Sequence, residues 1–153
     1  MHVESANEEI LRKHSKSFNW ASKFFPKKRR SSIALLYFFC RTLDDVADEK
    51  GKNNSHILND FKESIINEAV PRKSFNNFER LHSAYQNLRL NKEVSIHLLD
   101  GLISDQNAVL IKDEKELVEY CYRVAGTVGL LMCPILGCNK KEALKFAVDL
   151  GIG

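Results

Sequence analysis

Tyr37-Phe38-Phe39-Cys40-Arg41-Thr42-Leu43-Asp44-Asp45-Val46-Ala47-Asp48-Glu49 decides how this chain is read. The stretch continues an apolar run that opens at Ile33 and then loads one side with charge. On a helix, Tyr37, Arg41, Asp44 or Asp45, and Asp48 fall at i, i+4, i+7 or i+8, and i+11, which is a single stripe. A helix that is apolar around most of its girth belongs inside a protein. Charge on such a helix must be paired or must coordinate a metal. Neighbouring aspartates repel one another and Asp is a mediocre helix former, so the stripe predicts a cation beside it. Carboxylates one turn apart suit Mg²⁺, a hard ion that takes one or two carboxylates and completes its shell with water and phosphate oxygens. A solvated acidic helix end has the same spacing, and spacing alone does not separate the two.

Helical periodicity extends on both sides of this segment, with no alternating strand pattern and no internal repeat. Helices are expected over about 8–24, ending before Pro26, and over about 28–48. Gly51-Lys52-Asn53-Asn54-Ser55 reads as a loop. Further helices are expected over 56–69, stopped by Pro71, then over 75–88, 92–104 and 114–136. A last one, over 140–150, has Asn139 as a possible N-cap. The expected fold class is an all-α helical bundle.

The 153 residues suffice for one domain with a real core. A net charge of +3, with basic residues not interleaved with aromatics, gives no footprint for nucleic acid. No apolar run approaches the ~18–20 residues of a membrane-spanning helix. The start of the chain has no signal-peptide layout. Cys40, Cys121, Cys133 and Cys138 form no CxxC pair, which fits a reducing cytoplasm. The five histidines show no metal-ligand spacing. Lys27-Lys28-Arg29-Arg30 is the one dense basic cluster; it reads either as a solvated helix start or as a site of attraction to anionic lipid head groups.

The motifs resemble those of a known family. His14-Ser15-Lys16-Ser17-Phe18, Pro26 and the Tyr37-to-Glu49 segment are similar to the opening of the squalene and phytoene synthases, which join two prenyl diphosphates head to head. Tyr120-Cys121-Tyr122-Arg123-Val124-Ala125-Gly126-Thr127-Val128-Gly129 resembles a second block of that family. Gly101 followed four residues later by Asp105 matches a third feature between them. The wording is closest to bacterial phytoene synthases.

The resemblance implies a helical isoprenoid-synthase bundle and a Mg²⁺-dependent prenyltransferase. Metal ligation falls to Asp44 and Asp48, with Asp45 as the alternate. Catalytic roles fall to Tyr37, Arg41, Asp44 and Asp48. Substrate contact falls to His14, Ser15, Lys16, Ser17, Tyr37, Arg41, Tyr120 and Gly126. The expected partner is a prenyl diphosphate, with geranylgeranyl diphosphate converted to phytoene; farnesyl diphosphate and a squalene-type product are the alternative. A cytoplasmic protein with peripheral membrane contact fits such a substrate.

Read from the residues alone, Arg41 is equally an ion-pair partner of Asp44 or Asp45. Phe18, Tyr37, Tyr120 and Tyr122 read as cation-stabilising faces through the motif match, although aromatics at helical spacing are more often core. Two glycines among Ala125, Gly126, Thr127 and Gly129 mean close approach by a neighbouring helix or by a prenyl chain, or a kink. A chain-elongating prenyl synthase fits less well, since Lys50-Gly51-Lys52-Asn53 follows the acids where such enzymes carry paired arginines. A non-catalytic helical scaffold is the reading from another class. The family's second aspartate-rich segment has no counterpart here, so residues 1–153 are expected to form the N-terminal half of a single domain. Alone, that half is expected to be inactive and loosely packed, its apolar segments at 33–40 and 128–136 lacking partners.

Overall fold

The protein is all-helical among the residues described by the structure, a computed structural model covering 3–49, 51–69, 77–106 and 110–153, with only the backbone of 3–5. The helices are α1 (Val3–His14), α2 (Lys16–Ser22), α3 (Lys27–Ala47), α4 (Ser55–Ile66), α5 (Phe78–Leu88), α6 (Lys92–Ser104), α7 (Glu114–Cys121), α8 (Thr127–Leu136) and α9 (Lys141–Ile152). A π-helical turn, Tyr122–Gly126, joins α7 to α8.

Local chemistry sets several of these boundaries. The Asn91 side chain accepts from the Val94 amide at 3.0 Å and starts α6. Asp113 accepts from the Glu116 amide at 2.8 Å while Glu116 accepts from the Lys112 amide at 2.9 Å, a reciprocal cap that starts α7. Gly137, at φ 82°, ends α8 in the left-handed conformation.

The central element is α3, which packs against α1, α5, α8, α4 and α6. Its Leu36, Phe39 and Leu43 are almost wholly buried, against Leu58, Phe61 and Ile65 of α4 and Leu98 and Leu99 of α6. Phe61 stacks on Phe78 at 5.5 Å and tilts against Phe39 at 6.0 Å. The apolar run that opens the acidic stripe is thus the spine of the core.

Five details differ from the sequence expectations. The first helix is broken at Ser15, whose hydroxyl accepts from the Phe18 amide at 3.3 Å and caps a separate α2. The long helix over 114–136 contains the π turn. The last helix is capped by Lys140, not Asn139, and Ser55 opens α4 instead of closing a loop. The apolar segments at 33–40 and 128–136 are not stripped of partners: Ile33, Leu36, Phe39, Leu131 and Cys133 are buried within this chain. Exposure falls on α9, where Phe146 and Leu150 face outward. The expected ends at Pro71 and Phe75 lie outside the described residues.

Candidate active site

The acidic end of α3 emerges from the core as the sequence spacing requires. Leu43 and Val46 stay buried, so Asp44 is half-buried and Asp45 and Asp48 are exposed. Arg41 forks between two acids one turn ahead, with Nη1 at 3.3 Å from Asp44 Oδ2 and Nη2 at 2.5 Å from Asp45 Oδ1. The hydrogen bond to Asp45 holds the guanidinium firmly charged. Both side chains of each pair are more than a third exposed, so these pairs orient the groups and stabilise the fold only slightly.

Asp44 remains under-compensated. Burial pushes its carboxyl above the usual carboxylate range, and the charge of Asp48 pushes further than Arg41 pulls back. Asp105, at the C-terminal end of α6, lies within the same field. Its pKa is raised by burial and by Asp48, although a hydrogen bond from the Tyr120 hydroxyl pulls it down. One Asp105 carboxylate oxygen is buried without a hydrogen-bond partner, and so is Nε of Arg41. Asp44, Asp48 and Asp105 therefore bring mutually repelling carboxylates from two helices to one end of the bundle. Hard oxygen donors, with the charged forms of Asp44 and Asp105 disfavoured, fit a divalent cation. The donors are not assembled into a closed shell: among the described residues no three acid, His or Cys side chains converge on one point.

The sign of the Asp44 shift gives a test. Because its folded pKa is raised, its charge disfavours the folded state, and that loss sets in as pH rises from the ordinary carboxylate value through the raised one. Carboxyl ¹³C NMR should show Asp44 titrating above an unperturbed aspartate. Added Mg²⁺ should move that titration downward. An Asp44 curve indifferent to Mg²⁺ would rule out metal contact there.

Beside this polar end lies a cavity of about 590 Å³, within the range of ~300–1,000 Å³ typical of small-molecule sites. Leu36, Tyr37 and Cys40 of α3, Leu98 and Leu102 of α6, and Val128 and Met132 of α8 wall it, while Arg41 and Asp44 stand at its rim. Phe18 reaches it from α2 with its ring 6.3 Å from that of Tyr37. Burial raises the Tyr37 hydroxyl pKa, with Arg41 opposing. The Cys40 thiol is pushed up to about 12 by burial and Asp44, so this cysteine is a neutral apolar wall and not a nucleophile.

The outer wall is α9, brought close by small residues. A Cβ on Gly129 would sit 2.5 Å from the Ala147 carbonyl oxygen, and one on Gly151 would sit 2.8 Å from the backbone at Ala125 and Gly126. Helix contact therefore accounts for these glycines. Gly126, expected to touch substrate, is buried against Tyr122 and Val148 and does not line the cavity. Tyr122 also turns away, its hydroxyl 3.0 Å from His97 Nδ1.

The remaining expected residues divide. His14 lines a cleft of about 290 Å³ on the other flank of α3, together with Arg41, Asp45 and Arg80. Asp45 therefore lines this cleft, whereas Asp44 lines the larger cavity. Ser15 caps α2, Ser17 lies 3.5 Å from it, and Lys16 points to solvent. Tyr120 sits with Asp105. Sequence reasoning marked the position of Asp105 but gave it no role, because its neighbour Asp48 is distant in sequence.

The family model for squalene/phytoene synthase matches residues 11–153. The chain belongs to the squalene/phytoene synthase family. It is 34% identical over 143 residues to the phytoene synthase of Thermus thermophilus, covering 93% of this chain and 48% of that one. It is 30% identical over 149 residues to the 4,4′-diapophytoene synthase of Staphylococcus haemolyticus, covering 94% of this chain and 52% of that one. A dehydrosqualene synthase solved in complex with ligand superposes with a TM-score of 0.76 at 27% identity, over 97% of this chain and 52% of the other. The squalene synthase HpnC of Alicyclobacillus acidocaldarius shares the fold, with a TM-score of 0.74 at 24% identity. The chain spans about half the length of the curated relatives it matches. This family member thus has the expected all-α isoprenoid-synthase architecture.

Proposed function

We propose that these residues supply one diphosphate-binding half of a head-to-head prenyl transfer site, with two geranylgeranyl diphosphates joined to phytoene. The observation that carries this is the amphiphilic site: an apolar cavity of about 590 Å³ that ends at Arg41 and Asp44. Arg41 offers a planar fork to a diphosphate while remaining tied to Asp44 and Asp45. Asp44 and Asp48 would hold Mg²⁺, which supplies charge neutralisation on the departing diphosphate. Phe18 and Tyr37 place aromatic faces where an allylic cation forms, and cation–π attraction favours that charge. The aliphatic walls exclude water that would trap the cation as an alcohol. Contact with an anionic bilayer belongs to the same proposal, since substrate and product are both lipid-like.

Completion of the site calls for further carboxylates opposite Asp44 and Asp48. Residues 1–153 by themselves are therefore expected to give no product from prenyl diphosphates; product from them alone would contradict this. Arg41→Lys keeps the charge and loses the fork. It should weaken diphosphate binding by about 1–3 kcal/mol, roughly 5- to 150-fold, in a calorimetric titration. Unchanged affinity would make the Arg41 fork purely structural.

Farnesyl diphosphate is the second reading, favoured by the likeness to a 4,4′-diapophytoene synthase and a dehydrosqualene synthase. Incubating the complete enzyme with each diphosphate, without NADPH, separates the two. Phytoene from geranylgeranyl diphosphate supports the first reading. A fifteen-carbon preference supports the second. No product from either supports the scaffold.

A further inference from the structure

We propose that the outward face of α2 and the turn after it is a docking surface for an anionic bilayer. Trp20 is 64% and Phe24 72% exposed, and the two rings meet edge-on at 4.9 Å. They stand one turn apart, while Ser22, on the opposite side of the helix, is 1% exposed. Two large aromatics held together in solvent on a short, well-seated helix have no packing purpose within the described residues. Amphipathic rings of this kind settle at the head-group level of a membrane.

Charge names the partner. Lys16 and Lys23 lie on and at the end of the same short helix, Lys27 and Lys28 open α3 just after Phe24, and all four are exposed. Among the described residues none of these four has a carboxylate partner, whereas nearby Arg12 and Arg30 pair with Glu9 and Glu8. Residues 10–43 hold nine Arg and Lys and no Asp or Glu, while the rest of the chain holds 14 basic and 20 acidic residues. The stretch of chain that carries the exposed rings is therefore the basic, acid-free part of the sequence. Aromatic wedges ringed by long basic side chains match an anionic head-group layer, which offers apolar depth beneath a negative surface. The same helix lends Phe18 to the cavity wall. The surface stands on its own geometry, and only the benefit of docking there rests on the prenyl-transfer reading.

Trp20 is the sole tryptophan of the chain, so its fluorescence reports this surface directly. The chain is titrated with vesicles of phosphatidylcholine alone and of phosphatidylcholine with phosphatidylglycerol. With the anionic vesicles, Trp20 emission should shift to the blue, become protected from acrylamide and be quenched by brominated lipid. High salt should reverse this. The triple variant Lys23→Gln, Lys27→Gln, Lys28→Gln should weaken partitioning by roughly a hundredfold, at about fivefold per basic residue. Phe24→Ser should lower it while circular dichroism stays unchanged. Trp20 emission unmoved by anionic vesicles in a chain with normal helicity would overturn the proposal. So would equal binding to neutral vesicles, or a Trp20 already shielded before vesicles are added, which would mean that protein covers the face. Prenyl transfer is assayed separately on the complete enzyme in detergent solution, where loss of vesicle binding leaves turnover intact.

Discussion

Asp44→Ala and Asp48→Ala should each lower turnover of the complete enzyme at least about a hundredfold, the scale on which removing one electrostatic stabiliser of developing charge costs ~10²–10³ in rate. The same changes should leave the helical circular dichroism and the melting temperature almost unchanged. A structural acid behaves the opposite way, because its removal strands a partner. Asp44 is raised by burial and by Asp48 more than Arg41 relieves it, so the fold loses little when its charge goes. Activity lost without stability lost is the signature of an acid kept for a ligand. Full turnover in either variant would remove that residue from the metal assignment, and a large fall in stability would make it a structural group.

Gly129→Ala should be the most damaging single-methyl change in the cavity wall. The new Cβ would meet the Ala147 carbonyl oxygen at 2.5 Å, and a backbone atom in a helix cannot swing aside as a side-chain tip can. Overpacking of this kind costs about 1–3 kcal/mol, roughly 2–12 °C in melting temperature for a domain of this size. The damage extends to function, because α9 carries Ala147 and Gly151 into the cavity wall. Thermal denaturation with a parallel substrate titration checks both effects. A melt and an affinity identical to the parent would show that α9 does not pack on α8 as described.

Much of this arrangement was legible in the sequence because it follows from one period. The apolar run from Ile33 and the charged stripe from Arg41 to Asp48 lie on one helix, so the helix rule placed them before any tertiary contact was known. The position of α6, 92–104, followed from Asn91 and the pattern after it. What was not legible depended on neighbours. Ser15 breaks a helix by capping the next one, yet the apolar periodicity runs on through it. The π turn at Tyr122–Gly126 left no mark beyond its small residues. Asp45 shares the stripe of Asp44, but consecutive residues lie about 100° apart on a helix, and Asp45 falls on the other flank. Asp105 joins the acids of α3 only because the ends of α3 and α6 meet in space. Gly126 and Gly129 read equally as facing a prenyl chain or a helix, and only the position of α9 shows the close helix contact, with Gly129 also lining the cavity.

The most direct measurement is a crystal structure of the enzyme with Mg²⁺ and geranylgeranyl thiodiphosphate, an analogue that resists ionisation. The thiodiphosphate should lie at Arg41 with metal on Asp44 and Asp48, and the prenyl chain should run between α3 and α8 past Tyr37 and Met132. A diphosphate bound away from Arg41, or a chain outside that cavity, would contradict the account.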